Sequence, residues 1–215
     1  MNTLLSLRMR RGAFLATVVS VAVLASACAP LLVGGAVLVG VDRRTTGAQL
    51  EDQGIELRAA TRLREQYGDR ARFEVTSFNR RVLLLGEVPS EQDKRAAEQT
   101  VARVDNVQAI VNELEVLGPV GLTQRANDSV ITGRVRLALT QAPDIVASAY
   151  KVVTNRGTVY LMGRVTEREA NRGADVARTV GGVTKVVRSF EIISEDDLKR
   201  MQSAPQPAPA AAPKS

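Results

Sequence analysis

The stretch "FEVTSFNRRVLLLGEV" at 73–88 decides the fold, because it returns as "YKVVTNRGTVYLMGRV" at 150–165. At this shift of 77 residues, Val82 falls on Val159, Gly86 on Gly163 and Val88 on Val165. Each copy holds two β-rich runs joined by turn-forming residues, "NR" at 79–80 and "NRG" at 155–157, and so reads as a hairpin. Gly86 and Gly163 lie near the strand ends, where a missing side chain permits a bulge or a close backbone approach.

The repeat extends outward. Upstream, "EDQGIELRAATRL" (51–63) matches "NDSVITGRVRLAL" (127–139) at a shift of 76. Ile55, Ala59 and Leu63, like Ile131, Val135 and Leu139, recur at helical spacing. Downstream, Ser90 and Thr166 suit the N-cap of a second helix, whose inner face is Ala97, Val101 and Val104 in one copy and Ala174, Ala177 and Val180 in the other. "VARVDNVQAIVNELEV" (101–116) then matches "VARTVGGVTKVVRSFEI" (176–192), with a closing strand at 109–116 or 185–193. Each unit is α-β-β-α-β. A right-handed crossover closes its strand-helix-strand part and puts both helices on one face of a three-stranded sheet. The fold class is therefore α+β, with domains at 47–118 and 119–193.

Before the first copy, Arg8, Arg10 and Arg11 precede an apolar run from Ala13 to Leu24 and the small residues Ala25, Ser26 and Ala27. This is the layout of an export signal over 1–27. Cys28, the single cysteine, comes next. A lone cysteine in an oxidising compartment must pair between chains, remain reactive or be modified. Small residues before a cysteine resemble the lipobox of bacterial lipoproteins. That resemblance implies a diacylglyceryl group on Cys28, removal of the signal and acylation of the new amine. Ala25 stands where leucine is usual, with Leu24 one place earlier. An uncleaved anchor is the alternative, since "APLLVGGAVLVGV" after Cys28 is also apolar. Residues 28–46 read as a lipidated apolar linker, and 194–215 as a disordered Pro/Ala-rich tail.

Composition removes several functions. Histidine is absent, so the usual general base and the commonest metal ligand are missing. With one cysteine there is no thiolate metal site. No catalytic residue, metal site or cofactor is expected. With four Phe, three Tyr and no Trp, the cores must be aliphatic. The net charge of +6 does not indicate nucleic acid: export argues against it, and no aromatic-studded basic groove is present.

Helix, "V.L.G.V", polar helix and "V..V.N.L.V" resemble the BON domain of bacterial envelope proteins. "NDSVITGRVRLAL", "VYLMGRVTEREA", "GPVGLTQ" and "RRTTGAQLED" resemble the dual-BON outer-membrane lipoproteins of Gram-negative bacteria, the division- and outer-membrane-stress-associated lipid-binding family. The resemblance implies a periplasm-facing, lipid-anchored outer-membrane protein, and Ala29 after Cys28, rather than Asp, agrees with that location. It further implies binding of anionic phospholipid, phosphatidylglycerol or cardiolipin, through the first helix of the second BON domain. The expected role is outer-membrane integrity, with the division site as one place of action.

The two copies differ in charge. Residues 47–118 carry ten Lys/Arg and thirteen Asp/Glu, a net of −3; 119–193 carry eleven and six, a net of +5. In the second copy, Val130 and Leu137 are apolar where the first has Gly54 and Thr61, with Arg134 between them and Arg136 nearby. An apolar stripe flanked by arginine can enter a bilayer interface while the cations meet lipid phosphates. The same stripe can instead pack against the first domain. Members of the family can carry an aromatic where Val130 stands, and Val is the weaker interfacial anchor. The candidate lipid-binding residues are Val130, Arg134, Arg136 and Leu137, with Cys28 as the attachment. The rival reading is a scaffold that binds an envelope protein, with lipid contact incidental.

Overall fold

The computed structural model describes residues 42–118 and 121–203, which belong to one compact unit, Gly40–Ser215. The signal, Cys28, most of the expected linker and the tail beyond 203 lie outside the described residues. The first domain runs α1 (Thr46–Tyr67), β1 (Arg72–Phe78), β2 (Arg81–Val88), α2 (Glu91–Ala102), β3 (Ala109–Asn112) and β4 (Glu115–Val116). The second runs α3 (Leu122–Gln141), β5 (Tyr150–Asn155), β6 (Thr158–Val165), α4 (Glu167–Arg178) and β7 (Lys185–Ile192), followed by α5 (Glu195–Ser203).

In each domain a hairpin is antiparallel and the closing strand joins its second strand in parallel: β1-β2-β3/β4 and β5-β6-β7. Ser90 Oγ accepts from Asp93 N, and Thr166 forms a capping box with Glu169, so both expected N-caps are in place. The hairpin glycines serve close approach. A Cβ on Gly86 would stand 1.9 Å from the Arg72 carbonyl oxygen, and one on Gly163 2.2 Å from that of Ala149. Any other residue would push the neighbouring backbone away.

Both helices of each domain cover one face of its sheet. Ile55, Ala59 and Leu63 of α1 and Ala97 and Val101 of α2 pack on Val82, Leu84 and Val88. Ile131, Val135 and Leu139 of α3 and Ala170, Ala174 and Ala177 of α4 pack on Val152, Val159, Leu161 and Val165. The other faces of the two sheets share a third core, in which Phe78, Leu83 and Leu85 meet Val153, Tyr160 and Met162. The layers are helices, sheet, sheet, helices. The central strands β2 and β6 are thus buried on both sides, which explains the unbroken apolar runs "VLLL" and "VYLM".

Four expectations need correction. The closing strand of the first domain is interrupted at Glu113 and Leu114: Leu114 turns into the helix-side core, 1% exposed, and its N–H donates to Asn112 Oδ1 at 3.2 Å. The helices α1 and α3 begin at Thr46 and Leu122, earlier than the apolar spacing indicated. The expected tail is helical over Glu195–Ser203; Ser194 Oγ accepts from Asp197 N at 3.0 Å and Leu198 is buried. The last residues of the expected linker form a strap. Arg43 bonds both carboxylate oxygens of Glu169 at 2.7–2.8 Å and the Arg164 carbonyl at 2.8 Å, tying the strap to the second domain. Arg44 pairs with Asp52 at 2.8 Å and lies over the Phe78 ring at 4.2 Å, tying it to the first.

Candidate lipid-facing helix

The helix α3 is held by a carboxylate that the apolar pattern did not reveal. Asp128, buried on its inner side, accepts from Arg156 N and Gly157 N at 2.9 Å each and so grips the β5–β6 turn. Asp52 does the same in the first domain, accepting from Asn79 N and Arg80 N at 2.7 Å and from Ser77 Oγ at 2.6 Å. Burial pushes the Asp52 carboxyl up, but these donors and Arg44 outweigh it and hold it below the usual range. The signal was present in the repeat: Asp52 aligns with Asp128. An acid on the inner side of a helix, opposite a two-residue turn, marks a carboxylate that takes orphan turn N–H groups.

With Ile131, Val135 and Leu139 turned inward, the outward face of α3 is fixed by the 3.6-residue period. Val130 is 51% exposed, Leu137 56% and Leu122 76%. Ala126 and Gly133 continue this crest. Val130 and Leu137 therefore do not pack on the first domain; the interdomain contact is made by the sheet faces instead. Arg134 lies on one flank of the crest, and Arg125 and Arg136 on the other. Among the described residues none of these three forms an ion pair, although Arg136 Nη2 donates to the Val152 carbonyl at 3.2 Å. The single acid on α3 is Asp128, already turned inward, so the outward face carries no negative charge.

The corresponding helix of the first domain differs. Arg58, which aligns with Arg134, is neutralised by Glu51 at 2.7 Å, and Gly54 and Thr61 stand at the Val130 and Leu137 positions. Further arginines and lysines of the second domain are used between domains: Lys151 pairs with Glu56 at 2.9 Å, and Arg156 with Glu115 at 3.3 Å. Among the described basic residues of the second domain, those without an ion pair are Arg125, Arg134 and Arg136 on the outer side of α3 and Lys185 at the start of β7.

Among the described residues, no group of His, Cys, Asp and Glu has metal-binding geometry, and no helix is long and apolar enough to cross a membrane.

Known proteins agree with this architecture. The BON domain family matches residues 51–118 and 127–194. The outer membrane lipoprotein DolP of Haemophilus influenzae is 32% identical over 184 residues, 83% of this chain and 95% of its own length. A 21 kDa hemolysin of Actinobacillus pleuropneumoniae is 34% identical over 155 residues, 71% of this chain and 80% of its own. A protein from the gshII 5′ region of Anaplasma centrale is 30% identical over 137 residues, 63% of this chain and 90% of its own. Two matched BON domains, and likeness across nearly the whole of the H. influenzae protein, show that this chain is an outer-membrane, lipid-anchored protein of the DolP family.

Proposed function

We propose that the protein is a non-enzymatic lipoprotein whose second domain reads anionic phospholipid at the periplasmic face of the outer membrane. Acyl chains on Cys28 supply residence, since two or more chains anchor stably where one does not. The helix α3 supplies selectivity: Leu122, Val130 and Leu137 enter the interface, and Arg134 and Arg136 meet phosphate oxygens on either flank. The observation that carries this reading is the outward face of α3, with exposed large aliphatics, flanking arginines unpaired among the described residues, and no acid. The role that follows is support of envelope integrity, with the division site as one place of recruitment.

Co-sedimentation tests it. The unit Gly40–Ser215 should bind vesicles containing phosphatidylglycerol or cardiolipin, bind neutral vesicles far less, and weaken as salt rises. Equal binding to both vesicle types, or no binding to either, refutes selectivity by α3.

A second reading rests on Leu50 and Leu57, 64% and 70% exposed on the outer face of α1. They give the acidic first domain a small apolar patch suited to an envelope protein with a basic surface. Capture of such a partner that is lost in Leu57→Asp, with no lipid preference in the wild type, would favour the scaffold.

A further inference from the structure

A cleft of about 420 Å³ runs beside the N-terminal half of α3, with Val130 at its lip. It is lined by Gln124, Asn127 and Arg134 of α3, by Arg156 of the β5–β6 turn, and by Gly182 and Thr184 of the loop before β7. Three separate elements thus converge, and two of them supply an arginine. None of the lining residues is acidic. The nearby Asp128 is occupied by turn N–H groups and by Gln124 Nε2 at 3.1 Å.

The donors facing the cleft are only partly used. Arg134 has no ion pair among the described residues. Arg156 is already shared, its Nε lying 3.3 Å from Glu115 Oε2 and 3.8 Å from Glu87 Oε1 and its Nη2 donating to the Gly118 carbonyl at 3.0 Å, but its side chain is still 31% exposed. Asn127 and Thr184 add a neutral amide and a hydroxyl. Two guanidinium groups with neutral donors between them suit a tetrahedral oxyanion with several acceptor oxygens. The volume falls within the range of small-molecule sites.

We propose that this cleft takes the phosphate of a glycerophosphate group, with Arg134 and Arg156 as its cationic ligands. The inference rests on reading the second domain as a lipid reader and adds to it the seat of the headgroup, beside the apolar crest of α3. Arg156 is then shared between the phosphate and Glu115 of the first domain, so an occupied cleft draws on an interdomain ion pair.

The test uses Gly40–Ser215, vesicles with and without phosphatidylglycerol, and free sn-glycerol 3-phosphate. Thr184→Asp puts a negative charge into the cleft. Ser129→Asp puts the same charge on the exposed surface of α3 outside it. The first should weaken binding to anionic vesicles by about tenfold or more, the second by about two- to threefold. Glu115→Gln releases Arg156 and should tighten binding about threefold, whereas Glu65→Gln, with the same charge change on the outer side of α1, should not. Unchanged thermal unfolding certifies each variant as folded. Equal losses in the two Asp variants together with equal effects of the two Gln variants overturn the cleft and leave only diffuse attraction.

The source of the phosphate is read from the amides of Gly157 and Gly182. Shifts on adding free glycerol phosphate, with competition against vesicles at constant ionic strength, show that the cleft accepts soluble and lipid phosphate alike. No such shift, with the Thr184→Asp loss intact, assigns it to lipid headgroups. If the wild type binds no anionic vesicle but free glycerol phosphate shifts both amides, the lipid reading fails and the cleft stands. If neither binds, both fail.

Discussion

Replacing Arg43 by Ala should cost more stability than any other change in the strap. Its guanidinium makes a two-pronged contact with Glu169, and the two side chains are 7% and 4% exposed. Removing it leaves the Glu169 carboxylate buried, with one remaining partner in Thr166 N at 3.0 Å. An uncompensated buried charge costs about 3–5 kcal/mol, a large share of the stability of an ordinary domain. The sign of the pH dependence follows from the carboxyl. Burial pushes Glu169 up, but the Arg43 contact and the Thr166 N–H pull it below the usual range. A depressed folded value stabilises above the unfolded value of about 4.3, and this contribution is lost as pH falls through the folded value. The gap between wild type and Arg43→Ala should therefore be widest near neutral pH and narrow in acid. Urea unfolding of Gly40–Ser215 across that range measures it. The double variant Arg43→Met with Glu169→Gln should lose less than the sum of its parts by about 1 kcal/mol or more. A loss under about 0.5 kcal/mol, unchanged between neutral and acid pH, would refute the argument and place the pair among inconsequential surface contacts.

Gly86→Ala should destabilise by about 3 kcal/mol or prevent folding, because its Cβ would meet the Arg72 backbone; Gly133→Ala, with nothing within 4 Å, should stabilise by about 1 kcal/mol. Thermal unfolding of the two variants separates these signs. Asp52→Asn should cost about 1.5–3 kcal/mol through weakened bonds to the β1–β2 turn, read by urea unfolding and by faster hydrogen exchange at Asn79 and Arg80. Leu137→Glu should leave unfolding unchanged, since the side chain is exposed, while lowering affinity for anionic vesicles by about ten- to a hundredfold; Val130→Trp should raise it in the same sedimentation assay.

Much of the fold was legible because its determinants are local and occur twice. The spacing of Ile55, Ala59 and Leu63, the caps at Ser90 and Thr166, and the glycines at 86 and 163 each act within a few residues or one strand of their effect. The sandwich of sheets was not read from the chain, although its signal is present: Leu83, Leu84 and Leu85 in succession cannot all point to one face, so β2 needs cover on both. The exposure of Val130 and Leu137 followed from that cover, since a sheet face already packed on the first domain leaves the outer helix surface free. Other features were not legible. Arg43 finds Glu169 across 126 residues, and a charge in a linker gives no indication of which acid it meets. The break at Glu113 and Leu114 depends on how the chain end reaches the core, which periodicity does not record. The cleft belongs to three elements brought together only by folding.

The layer order constrains how the two domains divide their work. The sheet faces are consumed by each other, through the shared core and through Lys151–Glu56, Arg156–Glu115 and the 2.6 Å bond from Asn79 to Glu191. The broad surfaces left for a partner are the outer helical faces, and they lie on opposite sides of the sandwich. One bears arginines and aliphatics without acids; the other is part of a domain with a net charge of −3 and carries Leu50 and Leu57. With α3 seated on an anionic bilayer, α1 is turned away from it, and repulsion between acidic surface and anionic lipid favours that orientation over its reverse. Arg43 and Arg44 grip one domain each, so residues 42–46 are held at a fixed place between the two domains. A membrane contact through α3 and a protein contact through α1 are therefore compatible on one molecule. Leu137→Glu should abolish the first without touching the second, and Leu57→Asp the converse; a single substitution that removed both would show that the two faces are not independent.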